Sequence, residues 1–238
     1  MIVAKYRKSE LISNYTILTI LALTCILPIL LLFFNSVKPQ EEFGINPLGF
    51  PITIRFANFV DAWFIGEYAQ IFLNSTKLVI GTLILNLTVS GLAGFSLAKL
   101  YPRGSNVFLV YLLVGVSIPA QMFILPLFLM WKELNLMNTH LGLIIIYAGL
   151  NAPFATFLIR SYMIQLPDEL FDAAKIDGAN TLQLFYRIAL PISWPVFLTT
   201  GLIVGLNVWN EFLFALTFVH DDAKKPIEIG RASCREKV

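Results

Sequence analysis

The chain is poor in charge. Its 238 residues hold 15 acidic and 17 basic side chains, 13% in all, for a formal net charge of +2, against 57% hydrophobic residues and a mean hydropathy of +0.75. About half the charge of an ordinary soluble domain excludes a surface made for water. A balance this near neutral, with its charges clustered between apolar runs, offers no basic face to nucleic acid. Cysteine is scarce as well: Cys25 lies in an apolar run and Cys234 near the end, too few for a disulfide framework. His140 and His220 are too scattered for metal ligation, so no metal site is expected. There is no His-Glu-x-x-His, no Gly-x-Ser-x-Gly and no Gly-x-x-x-x-Gly-Lys-Ser/Thr phosphate loop. Neither a catalytic residue nor a bound cofactor is therefore expected.

What the chain has in quantity is long apolar runs. Hydrocarbon about 30 Å thick takes a helix of roughly 20 apolar residues. Windows free of Asp, Glu, Lys and Arg run over 11–37, 78–98, 104–131, 134–159 and 188–210, the last staying apolar past Glu211 to Val219. In lipid the backbone must satisfy its own hydrogen bonds, so each window reads as a helix. The fold class is all-α, a polytopic transmembrane bundle with spans over about 15–37, 78–98, 106–130, 139–159 and 192–219. The stretch Lys5, Arg7, Lys8 before the first run resembles the start of a signal peptide, but the run is too long and no small-residue cleavage site follows. Lys99, Arg103, Arg160, Lys175 and Arg187 crowd short segments on the same side as residues 1–14, whereas the other side holds Lys132, Lys224 and Lys225 and, spread over a long segment, Lys38, Arg55 and Lys77. This bias places the N-terminus in the cytoplasm.

One polar insert stands out between the fourth and fifth runs. In 161–191, Pro167 with Asp168 and Glu169 suits a helix start, and Gly178 a helix end. Leu170, Phe171, Ala173, Ala174 and Asp177 fall at spacings of three and four, a face suited to lying in a groove. Asn180 with Gln183 resembles a capping box opening a second short helix towards Ile188, Leu190 and Pro191. Two readings follow from the residues: an interfacial loop that joins two spans, or an element that fits a soluble partner.

The stretch DAAKIDGANTLQLFYRIALP, 172–191, resembles the signature of the integral membrane permeases of ATP-binding cassette importers. In that family Glu-Ala-Ala, a Gly and Ile-x-Leu-Pro form the loop that docks on the ATPase. Ala173, Ala174, Gly178, Ile188, Leu190 and Pro191 match at the family spacing, and Asp172 stands where glutamate is usual, one methylene shorter. FLNSTKLVIGTLILNLTVSGLAGFSLAKL, SIPAQMFILPLFLMW and WNEFLFAL are similar to spans of the carbohydrate-type, maltose-importer-like permeases. The resemblance implies sugar or polyol cargo and a bacterial or archaeal plasma membrane location. The implied partners are a second permease in a heterodimer, two ATPase subunits that bind the ATP, and an extracytoplasmic solute-binding protein. It also implies a sixth span. The stretch EIGRASCREKV, 228–238, has no apolar periodicity and looks like a translated library adapter, so it is expected to be non-native and unfolded, the native sequence breaking off near Ile227.

Within the spans, Ser90 with Gly94, and Gly201 with Gly205, would let helices approach closely. Pro119 and Pro126 in the third span and Pro153 in the fourth can each bend a helix beside a cavity. Gln121, Asn151 and Asn210 can line a path or bond a neighbouring helix. Glu211 reads either as a path or paired carboxylate or, counted along an unbroken helix from Ile192, as an anchor at the outer boundary. Trp63 and Trp131 read as interface aromatics. An ion-coupled secondary transporter is the alternative function; beyond Glu211 it lacks the intramembrane acids it would need.

Overall fold

The computed structural model describes residues 8–229, with side chains from Leu11 onward. Lys5, Arg7 and the expected tail from 230, with Cys234, lie outside the described residues. Every regular element among the described residues is helical. They form two units that meet in sequence at Ile65 and Gly66.

In the first unit, α1 (Lys8–Ser36) runs 29 residues through Pro28 without a break. At 1.5 Å per residue that is about 43 Å, more than a bilayer needs. Two short helices follow, α2 (Gln40–Ile45) and α3 (Ala57–Ile65). The segment between α1 and α3 is pinned by polar side chains: Lys38 Nζ donates to Asn35 Oδ1 at 2.9 Å and to the carbonyls of Asn46 and Gly49 at 2.6 and 2.8 Å. Glu42 accepts the amides of Ile52 and Thr53, and Asn58 Nδ2 donates to the carbonyls of Ser36 and Lys38.

The second unit is built around α4 (Tyr68–Phe95), which ends in a π turn, Ser96–Leu100. The 78–98 window thus understates a helix of 33 residues, because Lys77 cut the charge-free run short. Helices α5 (Ser105–Ser117) and α6 (Ile124–Glu133) flank a 3-10 turn and are bent by 97°. The single span expected over 106–130 is therefore broken. The bend falls at Pro119, whose ring disfavours the helical region for Ile118, here extended at φ −85° and ψ 127°. Pro126 sits in the first turn of α6, where a missing amide costs little.

Helix α7 (His140–Met163) starts on a Thr139 side-chain cap and passes through Pro153 without a break. After α8 (Asp168–Ile176) and α9 (Thr181–Leu184), a second π turn, Phe185–Ala189, leads into α10 (Leu190–Ile192) and α11 (Trp194–Trp209). The α9–α10 stretch and α11 are bent by 79° across Ser193. The expected fifth span, 192–219, is also interrupted: α11 stops at Trp209 and α12 (Leu213–Phe218) begins after a break. Among the described residues three helices are long and apolar enough to cross a membrane unaided, and up to five spans result if each bent pair counts as one.

Helices α7 and α11 pack against α4. Burial falls into two clusters, one around Leu78, Tyr147, Val204 and Phe214, the other around Phe95, Ile159, Phe171 and Phe185. A Cβ on Gly94 would lie 3.1 Å from Ile159 and 3.2 Å from the Arg160 amide, so the expected close approach is real there. Gly201 and Gly205 make only ordinary contacts at 3.5 Å and beyond. Trp131 is not an interface aromatic: it is buried and donates Nε1 to the Gly142 carbonyl, fastening α6 to the start of α7. The expectation that 228–238 is unfolded fails at its first two residues, since Glu228 and Ile229 continue a helical turn and Ile229 is buried in the first cluster.

Candidate functional site: the 164–193 insert and the break after Trp209

The insert is a helix, a glycine turn and a helix, as its local signals predict. Asp168 and Glu169 occupy the first turn of α8 after extended Pro167. At its end the Gly178 amide bonds the Lys175 carbonyl and the Ala179 amide bonds the Ala174 carbonyl, with Gly178 left-handed at φ +84°. That is the Schellman arrangement, which favours glycine because a Cβ clashes in this backbone region. Asn180 and Gln183 close the capping box from both sides, at 2.9 and 2.8 Å.

The structure divides the predicted site residues into an anchored set and a free face. Phe171, expected to reach into a partner's groove, is 3% exposed and packs inside this chain, 6.0 Å from the Phe95 ring. The amphipathic spacing was right, but the bundle itself supplies the groove. Ala174, Ile188 and Leu190 are half-buried; Leu170, Asp172, Ala173, Asp177, Gly178 and Pro191 are exposed. Asp172 pairs with Lys175 at 2.8 Å on the same helix. Ile176 is 87% exposed, and Leu182 and Tyr186 are exposed beyond it. A shallow pocket of about 330 Å³ opens between Ala174, Gly178, Gln183 and Arg187.

Sequence reasoning missed what holds this insert to the spans. Lys99 Nζ, from the π turn ending α4, donates to the Leu166 carbonyl and to Asp168 Oδ1, both at 2.6 Å, and lies 5.2 Å from the centre of the Phe171 ring. Phe185 also packs on Phe95, its ring tilted and centred 5.5 Å away. These partners lie far apart in sequence, so no local pattern announces them.

The second place of interest is the break after Trp209. Asn151 Nδ2 donates to the Tyr147 carbonyl, and its Oδ1 accepts from Asn207 Nδ2 at 3.3 Å, joining α7 to α11. Asn207 and Asn210 are exposed. Glu211 accepts the Tyr147 hydroxyl at 2.8 Å and the amides of Leu213, Phe214 and Ala215 at 2.9 to 3.2 Å. It is thus a paired carboxylate that caps α12. The outer-boundary count ran along one helix from Ile192, whereas the chain bends at Ser193 and α11 ends at Trp209, before Glu211. Gln121 and Pro119 are exposed at the α5–α6 bend, and no hydrogen bond joins Gln121 to the asparagines among the described residues. Asn207 had a legible signal, a carboxamide inside a charge-free window, that the sequence reading passed over.

Residues 90–227, which include both regions, match the family described as binding-protein-dependent transport system inner membrane component. The chain is 33% identical over 217 residues to the arabinooligosaccharides transport system permease protein AraQ of Halalkalibacterium halodurans, covering 90% of this chain and 77% of that protein. It is 29% identical over 220 residues to the diacetylchitobiose uptake system permease protein NgcG of Streptomyces coelicolor, covering 92% of this chain and 73% of the relative. Its fold matches a chain in the crystal structure of a bacterial ABC transporter involved in the import of the acidic polysaccharide alginate, with a TM-score of 0.83, 24% identity, and coverage of 95% of this chain and 81% of that one. A helical chain of membrane-crossing length, matched to that family over both regions of interest, belongs to the inner membrane components of binding-protein-dependent transport systems, the permeases of ATP-binding cassette importers.

Proposed function

We propose that this permease forms part of the path for a sugar or related polyol and is driven by a separate ATPase docked on 168–191. Its N-terminus lies in the cytoplasm, it pairs with a second permease, and two ATPase subunits and a solute-binding protein complete the importer. The relatives named for arabinooligosaccharides and diacetylchitobiose support the cargo class.

The observation that carries the path is the depth of Asn207, an exposed carboxamide bonded to the half-buried Asn151. Helix α7 has 24 residues, about 36 Å at 1.5 Å each, and Asn151 sits near its midpoint. Asn207, bonded to Asn151, shares that depth. An exposed carboxamide and an open stretch of backbone at membrane depth are tolerated where they face protein or a water-filled cavity, and not lipid. Carboxamides both donate and accept, which suits hydroxyl-rich cargo. For docking, the support is the exposed apolar side chain of Ile176 beside a turn already built by its caps. An ion-coupled carrier would need a carboxylate free to bind its ion, and Glu211 is already engaged by Tyr147 and three backbone amides.

Proteoliposomes holding the complete importer test this. Asn207→Leu should lower cargo uptake about tenfold, roughly one lost hydrogen bond to the cargo, without lowering assembly. Uptake equal to wild type, or uptake that persists with the ATPase omitted, would sink the reading.

A further inference from the structure

We propose that Lys99 is a positioning residue for coupling, the side chain through which movement of α8 reaches α4. This rests on the reading of 168–191 as the ATPase-docking element. Lys99 stands at the end of α4, the helix on which α7 and α11 pack. Its side chain is 5% exposed although charged, while that of Asp168 is 75% exposed. A nearly buried ammonium is tolerable only while its acceptors stay in place, so its position is tied to theirs. Those acceptors are the Leu166 carbonyl, immediately before α8, and Asp168, its first residue. Among the described residues this is the sole ion pair between α8 and a spanning helix, since the Asp172–Lys175 pair lies within α8.

The surrounding backbone is suited to the task. Lys99 lies in a π turn, where the wider hydrogen-bond register interrupts the regular ladder, and such turns recur at functional positions. The Leu97 carbonyl of the same turn accepts Arg160 Nε from α7 at 3.4 Å. The ends of α4 and α7 and the start of α8 are therefore joined at one turn by polar contacts. On the other side, Phe171 and Phe185 both pack on Phe95, and Phe185 opens the second π turn. Helix α8 is a short rigid lever: its free end carries Ile176, and its other end is held by Lys99. A push at Ile176 meets α4 at two places, the Phe171–Phe95 packing, which can slide, and the Lys99 contact, whose hydrogen bonds fix the start of α8 to the end of α4.

The test uses the assembled importer in proteoliposomes, measuring cargo taken up per ATP hydrolysed alongside ATPase retention. Lys99→Met keeps the aliphatic stem against Phe171 and removes the charge. It should retain the ATPase and its hydrolysis while uptake per ATP falls about tenfold, the loss of a charge-assisted hydrogen bond. Lys99→Arg should restore most of that ratio. Asp168→Ala, at an exposed side chain that folding tolerates, should lower it by a smaller factor and keeps the test open if Lys99→Met misfolds. An unchanged ratio in both variants overturns the proposal, as does loss of the ATPase from both, which would make the contact a scaffold only. Ile176→Asp separates the two layers. If it releases the ATPase while Lys99→Met leaves the ratio unchanged, docking stands and transmission through Lys99 falls. If it leaves the ATPase bound, the docking reading falls and this proposal with it.

Discussion

Two nearly buried lysines hold two connecting segments of this chain, and they hold them differently. Lys38 is 2% exposed, and all three of its oxygen acceptors lie within eleven residues, so the segment after α1 folds around its own ammonium. Lys99 finds its acceptors 67 and 69 residues away, at the foot of the 164–193 insert. The first makes a connection that is self-contained. The second makes the placement of an insert depend on the bundle, as the proposed coupling requires.

Breaking the aromatic side of the long-range anchor should have the largest effect. Phe171→Asp places a carboxylate among Phe95, Phe185 and Met163, and should destabilise the insert by at least the ~3–5 kcal/mol of a large aromatic truncation. Hydrogen exchange should rise across 164–193 and stay unchanged in 37–58; a rise in both would erase the contrast between the segments. Lys38→Met is the mirror experiment. It leaves the Asn35, Asn46 and Gly49 oxygens without their donor, for about 1–3 kcal/mol, and the faster exchange should stay within 37–58. Spread of the effect into the insert would show that the first segment is not self-contained.

Gly178→Val should be milder still and sharpens what is local within the insert. No atom lies within 4 Å of a Cβ there, so the cost is the left-handed backbone alone, roughly 1–2 kcal/mol. Gly178→Asn should recover part of it, since asparagine tolerates that region. Exchange confined to the Ala174–Asn180 turn is the expected readout, and protection equal to wild type in the valine variant would count against a conformational role for the glycine.

Local rules in the sequence determined the helices and the shape of the insert. Apolar runs longer than a bilayer's thickness allow no other satisfied backbone, and Pro167, Gly178, Asn180 and Gln183 act on neighbours a few residues away. The breaks were legible in part: Pro119 signalled one and Pro191 and Pro195 flank the bend at Ser193, whereas the stretch after Trp209 carries no proline. Pro153 lies inside an unbroken α7, where a single lost hydrogen bond is absorbed by a long packed helix. Only the tertiary structure could decide that Phe171 faces inward, that Trp131 is a buried fastener, that Glu211 caps α12 under Tyr147, and that Lys99 grips Asp168. Each of these depends on contacts between residues remote in sequence. Periodicity along one helix sets which residues share a face, and only packing sets what that face meets.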